Sequence, residues 1–170
     1  MDTRNNNEKI ELLCKSTENV ETVFFIENNI DTIKNYMVNK VFLPQLKSVC
    51  EGLELIYEPV ERDWGESAEF HIYNPEWNFF YIRFLFHHQG MHALCVGISH
   101  IDPNNTNNKT FDILNQRFAI PCVTFPRKKF PKYHEHWRKE AMIAISNGEM
   151  AELFYTEIKN ILELTKDLDM

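Results

Sequence analysis

The sequence predicts an α+β fold, in which an antiparallel β-meander of three to five strands over about residues 53–99 packs against N- and C-terminal helices. Short apolar or alternating runs separated by tight turns occupy the centre of the chain, a spacing typical of hairpin-linked strands. Apolar residues at helical spacing occupy the C-terminal third. Hydrophobic residues make up 44% of the 170 positions and aromatic residues 13%, so the chain can bury a substantial core.

The N-terminal residues predict a short tail followed by one domain. Residues 1–8 are polar and rich in asparagine, and we expect them to be disordered. A chain of this length fits a single domain, which we place at 9–170. The apolar residues from Val20 to Ile26 fit either a buried strand or one end of a helix, and their periodicity does not decide between the two.

A helix is predicted between Asp31 and Gly52. Asp31 is a favourable N-cap, and an apolar helical face follows it, formed by Ile33, Tyr36, Met37, Val41 and Phe42. Pro44 is expected to kink or restart this helix, because proline cannot donate the usual hydrogen bond to the carbonyl four residues back. Gly52 then fits the helix C-terminus.

The central runs predict the strands of the meander. They are Leu53–Pro59, Ala68–Tyr73, Trp77–His87 and Met91–Ser99. Because side chains alternate along a strand, one face of the third run is predicted to point into the core: Asn78, Phe80, Ile82, Phe84 and Phe86. The opposite face is mixed and is predicted to be half covered: Trp77, Phe79, Tyr81, Arg83 and Leu85.

The last third of the chain predicts mainly helix. A polar loop at Asp102–Asn108 precedes a short helix around Phe111–Phe118 and an irregular proline-rich segment. Two further helices are predicted over Tyr133–Ser146 and Glu149–Leu168, separated by Asn147-Gly148. The second of these carries an apolar stripe that we expect to pack on the sheet.

Charge and hydropathy limit the classes of function. The formal net charge is −7, from 25 acidic against 18 basic residues, so contact with a phosphate backbone would require a local basic face. No run approaches the ~20 apolar residues that span a bilayer, and the polar N-terminus has no apolar signal-peptide core. We therefore predict a cytoplasmic protein with no membrane partner. The four cysteines are scattered and predict neither a zinc site nor a disulfide framework.

The sequence carries no recognised catalytic motif. A nucleophile elbow, a glycine-rich phosphate loop and an H-E-x-x-H metal motif are all missing. His87, His88 and His92 bracket a turn, but His71 is the one neighbour that offers a third ligand, so we predict no metal and no other cofactor. The one Glu-x-Lys triplet falls on the C-terminal helix rather than on a strand. We predict no catalytic residue and favour a non-enzymatic protein.

A basic and aromatic segment at residues 127–139 is the candidate contact surface. The run PRKKFPKYHEHWRK combines charges that suit phosphate contact with rings that suit base stacking. The alternative is a solvated loop whose aromatic residues anchor it to the core. With two further tryptophans added, the predicted binding residues are Trp64, Trp77, Arg127, Lys128, Lys129, Lys132, Tyr133 and Trp137.

Two stretches resemble a known protein family. The run PEWNFFYIRFLFHHQGMHALCVGI, followed by a helix with Trp137 and by NGEMAELFYTEIKNILELTKDL, is similar to the C-terminal region of one group of PD-(D/E)XK nuclease superfamily proteins. The resemblance covers about residues 30–168 and implies an α+β accessory domain associated with nucleic-acid processing, either free-standing or part of a longer protein. It implies no catalytic residue, since the active site of the superfamily belongs to the preceding nuclease core. The stretch from Arg117 to Phe130 departs from the related tails, which are richer in tryptophan there.

Three functions remain open at this point. The favoured one is a non-enzymatic accessory or binding domain, associated with nucleic-acid processing or defence, whose partner is nucleic acid or another protein. The second is a divergent nuclease in which strand carboxylates such as Glu69 and Glu76 hold Mg²⁺. The third is a protein–protein adaptor that forms a homodimer through an exposed aromatic strand face or through the last helix.

Overall fold

The structure is a computed structural model of the chain, and it describes residues 3–59, 69–88, 92–102, 108–122, 125–130 and 137–170. The sequence predicts one domain over 9–170, whereas the chain divides into two compact units, Met1–Tyr36 and Met37–Met170. The predicted α+β class is confirmed. The larger unit combines a five-stranded antiparallel sheet with helices before and after it.

Three helices make up the smaller unit: α1 (Thr3–Leu13), α2 (Thr17–Asn28) and α3 (Ile30–Tyr36). Helix α1 begins inside the segment predicted to be a disordered tail. Residues 20–26, for which the sequence allowed strand or helix, are helical and belong to α2. Ser16 caps this helix, because its side chain accepts a hydrogen bond from the Asn19 N–H at 3.1 Å. Asp31 was expected at an N-cap but lies within the first turn of α3.

Pro44 changes the geometry of the helix before it, as the sequence predicts. Residues Met37–Phe42 form a π-helical turn, and α4 (Leu43–Gly52) begins directly after it with Pro44 in its first turn. Proline has no N–H for the usual bond to the carbonyl four residues back, and its ring crowds that carbonyl. We attribute the wider winding of the preceding turn to this crowding. Val38 and Phe42, both on this turn, are fully buried.

The sheet of the larger unit is a meander with the order β1-β2-β3-β4-β5, and every neighbouring pair is antiparallel. The strands are β1 (Ile56–Pro59), β2 (Glu69–Tyr73), β3 (Phe80–His88), β4 (His92–His100) and β5 (Arg127–Lys129). Four of them lie in or beside the predicted range. β5 corrects the prediction of an irregular proline-rich segment, and Arg127 also pairs with Ile120 through backbone hydrogen bonds of 2.9 and 3.1 Å.

One face of the sheet packs against helices. The alternation predicted for β3 is confirmed by its fully buried residues, Phe80, Ile82, Phe84 and Phe86. Asn78, predicted on the same face, is instead exposed in the turn before β3. The opposing layer comes from α4, α6 (Lys139–Asn147) and α7 (Glu149–Thr165). The ring of Phe154 lies at its centre, with its centroid 4.3 Å from that of Phe84.

Helix α7 turns its predicted apolar stripe into this core. Its buried residues include Met150, Phe154, Ile158 and Ile161, so the stripe is not presented to a partner. The residues after α7 are held by the sheet and by α5 (Asn108–Arg117). The Met170 carbonyl accepts a hydrogen bond from the Asn78 N–H at 2.7 Å, and Arg117 forms an ion pair with Asp167 at 2.6 Å.

Candidate functional site

The face of the sheet opposite the helices carries polar and ring-bearing side chains. Residues paired directly across strands share a face, so the strand registers place these residues in three cross-strand rows. The rows are Ile56, Tyr73, Tyr81 and Ser99; then Glu58, His71, Arg83, Gly97 and Arg127; then Glu69, Leu85, Cys95 and Lys129. We refer to this surface as the outer face.

Three rings on β2 and β3 lie against one another on the outer face, and we call them the ring cluster: His71, Tyr73 and Tyr81. The two tyrosine rings are stacked, with centroids 5.3 Å apart and an angle of 27° between their planes. The imidazole of His71 lies 4.6 Å from the Tyr81 ring and is tilted by 51°. All three side chains are half-buried, so each keeps part of its surface in solvent. The ring cluster is therefore a preformed aromatic platform.

Both tyrosines of the ring cluster stay neutral at physiological pH. Burial, helped by the carboxylate of Glu58, raises the pKa of Tyr73 above its ordinary value of 10.0. Burial likewise raises the pKa of Tyr81. Each phenol therefore keeps its O–H, and Tyr73 donates its own to the carboxylate of Glu58.

An ion pair neutralises the buried carboxylate of the outer face. Oε2 of Glu69 accepts a hydrogen bond from Nε of Arg83 at 2.7 Å and a second from Nη2 of the same guanidinium. Nε2 of His71 lies 3.5 Å from the same oxygen. His71 and Arg83 lower the pKa of Glu69 from 4.5 to about 2, against the effect of burial, which raises it. Glu69 is thus an anion that holds the guanidinium of Arg83, with the imidazole of His71 beside it.

Acid is expected to weaken the fold through Glu69. Because the pKa of Glu69 is lower in the folded than in the unfolded chain, its ionised form contributes stability above about pH 4.5, and that contribution is lost as the pH falls towards 2. The loss is at most about 3 kcal/mol. In urea unfolding at a series of pH values, the difference in unfolding free energy between wild type and Glu69→Gln should shrink over this interval. A constant difference would contradict the assignment.

Cations extend the outer face from β3 to β5. The guanidinium of Arg83 lies 5.3 Å from the centre of the Phe125 ring, and that of Arg127 lies 5.5 Å from the same ring. Contacts of this kind between a cation and a ring are attractive, and they hold both guanidinium groups against the sheet. Lys129 lies on the same face and is exposed. The cations of the outer face are therefore grouped beside the ring cluster.

The structure separates the members of the predicted basic and aromatic surface. Trp137, predicted to contact a ligand, lies in the core instead, 2% exposed and with its ring 5.0 Å from that of Phe42. Phe130 is buried as well. Burial of large apolar rings is favourable, so these two aromatic residues anchor the segment to the core. This agrees with the alternative of a solvated loop held by its aromatic residues. Lys128 points to the helix layer, where its Nζ lies 2.5 Å from Oε2 of Glu157.

Two of the predicted binding residues, Arg127 and Lys129, do lie together on the outer face. Trp77 belongs to the turn before β3, is half-buried and packs against the edge of the core. The remaining predicted residues lie outside the described part of the chain: Trp64, Lys132 and Tyr133.

The carboxylates of the nuclease alternative do not converge. Glu69 begins β2, whereas Glu76 lies in the turn after it, where its N–H bonds the side chain of Asn74 at 2.9 Å. A strand rises ~3.3 Å per residue, so the two ends of β2, residues 69 and 73, are about 13 Å apart. Glu76 lies three residues beyond the second of these ends. Among the residues that the structure describes, no group of three His, Cys, Asp or Glu side chains could hold a metal ion. The side chains of His87, His88 and His92 lie outside that description.

The sequence does not mark the ring cluster and Arg83 as one surface. The usable signal is the alternation in β2, where His71 and Tyr73 alternate with the buried residues Phe70 and Ile72. Combined with the mixed face of β3, this alternation places both sets of rings on the side away from the core.

Comparisons with known proteins give no match. No family model matches the chain, and neither curated proteins nor solved structures match it. Within the described ranges, no helix has both the length and the apolar character that crossing a membrane requires. Function is therefore inferred from the outer face itself.

Proposed function

We propose that this protein is a non-enzymatic binding domain that contacts single-stranded nucleic acid through the outer face of its sheet, in nucleic-acid processing or defence. The observation that carries the proposal is the ring cluster, whose three rings lie in mutual contact on two neighbouring strands. Every base has a π-face, and stacking on an aromatic side chain stabilises binding by about 1–3 kcal/mol per base. The platform therefore suits a ligand whose sequence is not read.

Cations beside the ring cluster suit a phosphate backbone. Arg83 lies in the same cross-strand row as His71, and Arg127 lies at the far end of that row. Strands are ~4.8 Å apart, so the row from β2 to β5 spans about 14 Å. Gly97 in this row is buried, so the two guanidinium groups on either side of it are the parts of the row that can meet phosphates. With Lys129, the outer face holds three cations against the carboxylates of Glu58 and Glu69, so its local charge opposes the acidic charge of the whole chain.

The pKa values of Glu69, Tyr73 and Tyr81 suit binding, because none of the three is shifted towards neutral pH. A general acid or base works best when its pKa lies near the operating pH. The pKa of Glu69 is lowered to about 2, and the pKa values of Tyr73 and Tyr81 are raised above 10.0. These three groups therefore hold fixed protonation states near neutrality, which suits hydrogen bonding and ion pairing.

Replacing a ring or a cation of the outer face is expected to weaken binding in two distinct ways. Tyr73→Ala should lower the affinity for a fluorescein-labelled single-stranded oligonucleotide roughly 10-fold or more, because one stacking contact is lost. Lys129→Glu should lower affinity and also reduce the dependence of log affinity on log salt by about one phosphate contact. Fluorescence anisotropy across a salt series measures both effects.

Helix α7 offers matched control residues for both variants. Tyr155 and Lys159 form a cation–π contact of 5.3 Å on α7, and both are exposed. Helix α7 packs on the face of the sheet opposite the outer face. Tyr155→Ala and Lys159→Glu are expected to keep the wild-type affinity and salt slope. The proposal fails if the wild-type chain binds no single-stranded oligonucleotide at low salt, or if the control variants lose as much affinity as the outer-face variants.

A further inference from the structure

The smaller unit carries most of the exposed apolar side chains of the described chain. Thirteen large hydrophobic residues are exposed, and nine of them lie between residues 10 and 36: Ile10, Leu12, Leu13, Val23, Phe24, Phe25, Ile26, Ile30 and Tyr36. Leu12 is 62% exposed and Phe25 63%. Scattered apolar residues are normal on a protein surface, but a concentration of this kind marks an interaction site.

The smaller unit also has no buried residue where its side chains are described. Residues 8–36 are all exposed or intermediate. Units of fewer than ~40 residues usually depend on a disulfide, a metal or oligomerisation for stability. Cys14 is a free thiol, and the described residues contain no metal cluster. Oligomerisation is a direct way to bury this apolar surface.

Helix α2 exposes apolar side chains around more of its circumference than one neighbouring helix would cover. Val23 and Ile26 are three residues apart and lie on one side of the helix, whereas Phe24 and Phe25 lie on other sides. All four are exposed. A helix at the surface of a monomer usually has one apolar stripe about 100° wide. The wider surface of α2 is typical of a helix inside an assembly.

We propose that this apolar surface is the interface of a homodimer, formed with the same surface of a second copy of the chain. Aromatic side chains offer roughly 150–250 Å² each and aliphatic ones less, so three aromatic and six aliphatic residues at about half exposure present on the order of 800 Å² in all. A standard protein interface buries about 800 Å² on each partner. Symmetric interfaces that use one patch on both copies are the commonest in soluble oligomers. The available area therefore matches what a stable dimer needs.

Charge disfavours an anionic lipid surface as the occupant. Residues 1–36 contain seven acidic against four basic residues, so an anionic bilayer would repel them. The charged residues of α2 are all acidic: Glu18, Glu21 and Glu27. Helix α1 carries Arg4 and Lys9 against Glu8 and Glu11, and Lys15 follows it. Lys9 and Lys15 of one copy can therefore offset part of the acidic charge on α2 of the other.

Sedimentation velocity of the full chain over a wide range of concentration tests the interface. The wild-type chain is expected to form a dimer, and Phe24→Lys is expected to raise its dissociation constant about 30-fold or more, because a central apolar contact becomes a charge. Ile143→Lys is the matched control, since Ile143 is 50% exposed on α6 of the larger unit. This control should leave the dissociation constant unchanged.

Circular dichroism checks that each variant keeps its helices, and Phe24→Ser repeats the test without adding a charge. A wild-type chain that stays monomeric at every concentration overturns the proposal. If that monomer floats with phosphatidylcholine vesicles, the surface belongs to a bilayer instead. A dimer that both Phe24 variants leave unchanged, or that Ile143→Lys weakens equally, overturns it as well.

Discussion

Replacing Phe154 with alanine is expected to lower the free energy of unfolding by about 3–5 kcal/mol. The ring of Phe154 is fully buried and is stacked on Phe84, and the centroids of Phe42 and Phe130 lie 4.9 and 5.0 Å away. Its removal would leave a cavity where α7, β3 and the π-helical turn meet. Close-packed neighbours collapse into such a cavity only in part. Urea unfolding followed by intrinsic fluorescence measures the change.

The next residue of the same helix provides the control. Tyr155 is exposed and contacts Lys159, so Tyr155→Ala should cost less than about 1 kcal/mol. If the two alanine variants were equally destabilised, Phe154 would not be the centre of the core.

Replacing Gly97 with alanine is expected to separate β5 from the sheet and to destabilise the larger unit by about 3 kcal/mol or more. A Cβ at Gly97 would lie 2.1 Å from the Pro126 carbonyl oxygen and 2.8 Å from the Arg127 Cα. That carbonyl accepts a hydrogen bond from the Ile98 N–H at 3.1 Å, so the two backbones cannot move apart without breaking the pairing of β4 and β5. Because Arg127 and Lys129 belong to β5, oligonucleotide binding should fall as well.

Gly52 supplies a control with the opposite expected sign. It lies in the last turn of α4, and a Cβ there would meet nothing within 4 Å. Gly52→Ala should leave the larger unit unchanged or stabilise it by up to about 1 kcal/mol, because alanine loses less backbone entropy on folding. A Gly97→Ala chain as stable as Gly52→Ala would show that the approach of β5 to β4 is not tight.

The sheet could be predicted from the sequence because its signal is local. Four buried aromatic or branched residues alternate along β3, and a period of two places them on one face whatever their partners are. The effect of Pro44 was equally predictable, since it depends on the missing N–H and the ring of one residue. β5 was not predictable in this way. It has only three residues, all basic, and it pairs with β4 from far along the chain.

The outer face was only partly predictable, because it depends on register. Arg83 and Glu69 are fourteen residues apart in sequence and meet because β2 and β3 pair in one register. Trp137 shows the opposite error. It was predicted on a helix over Tyr133–Ser146, but α6 begins only at Lys139, so the helical period does not apply to Trp137. Burial of its apolar area decided where the ring lies.

Photo-crosslinking of a single-stranded oligonucleotide that carries iodouracil tests most directly whether bases stack on the outer face. The linked residues can be located by mass spectrometry of the digested protein. We expect the cross-links in β2 and β3, at Tyr73 or Tyr81, and we expect Tyr73→Ala to lose part of the yield while Tyr155→Ala keeps it. Cross-links confined to α6 and α7, with none in β2 or β3, would contradict a nucleic-acid surface on this face of the sheet.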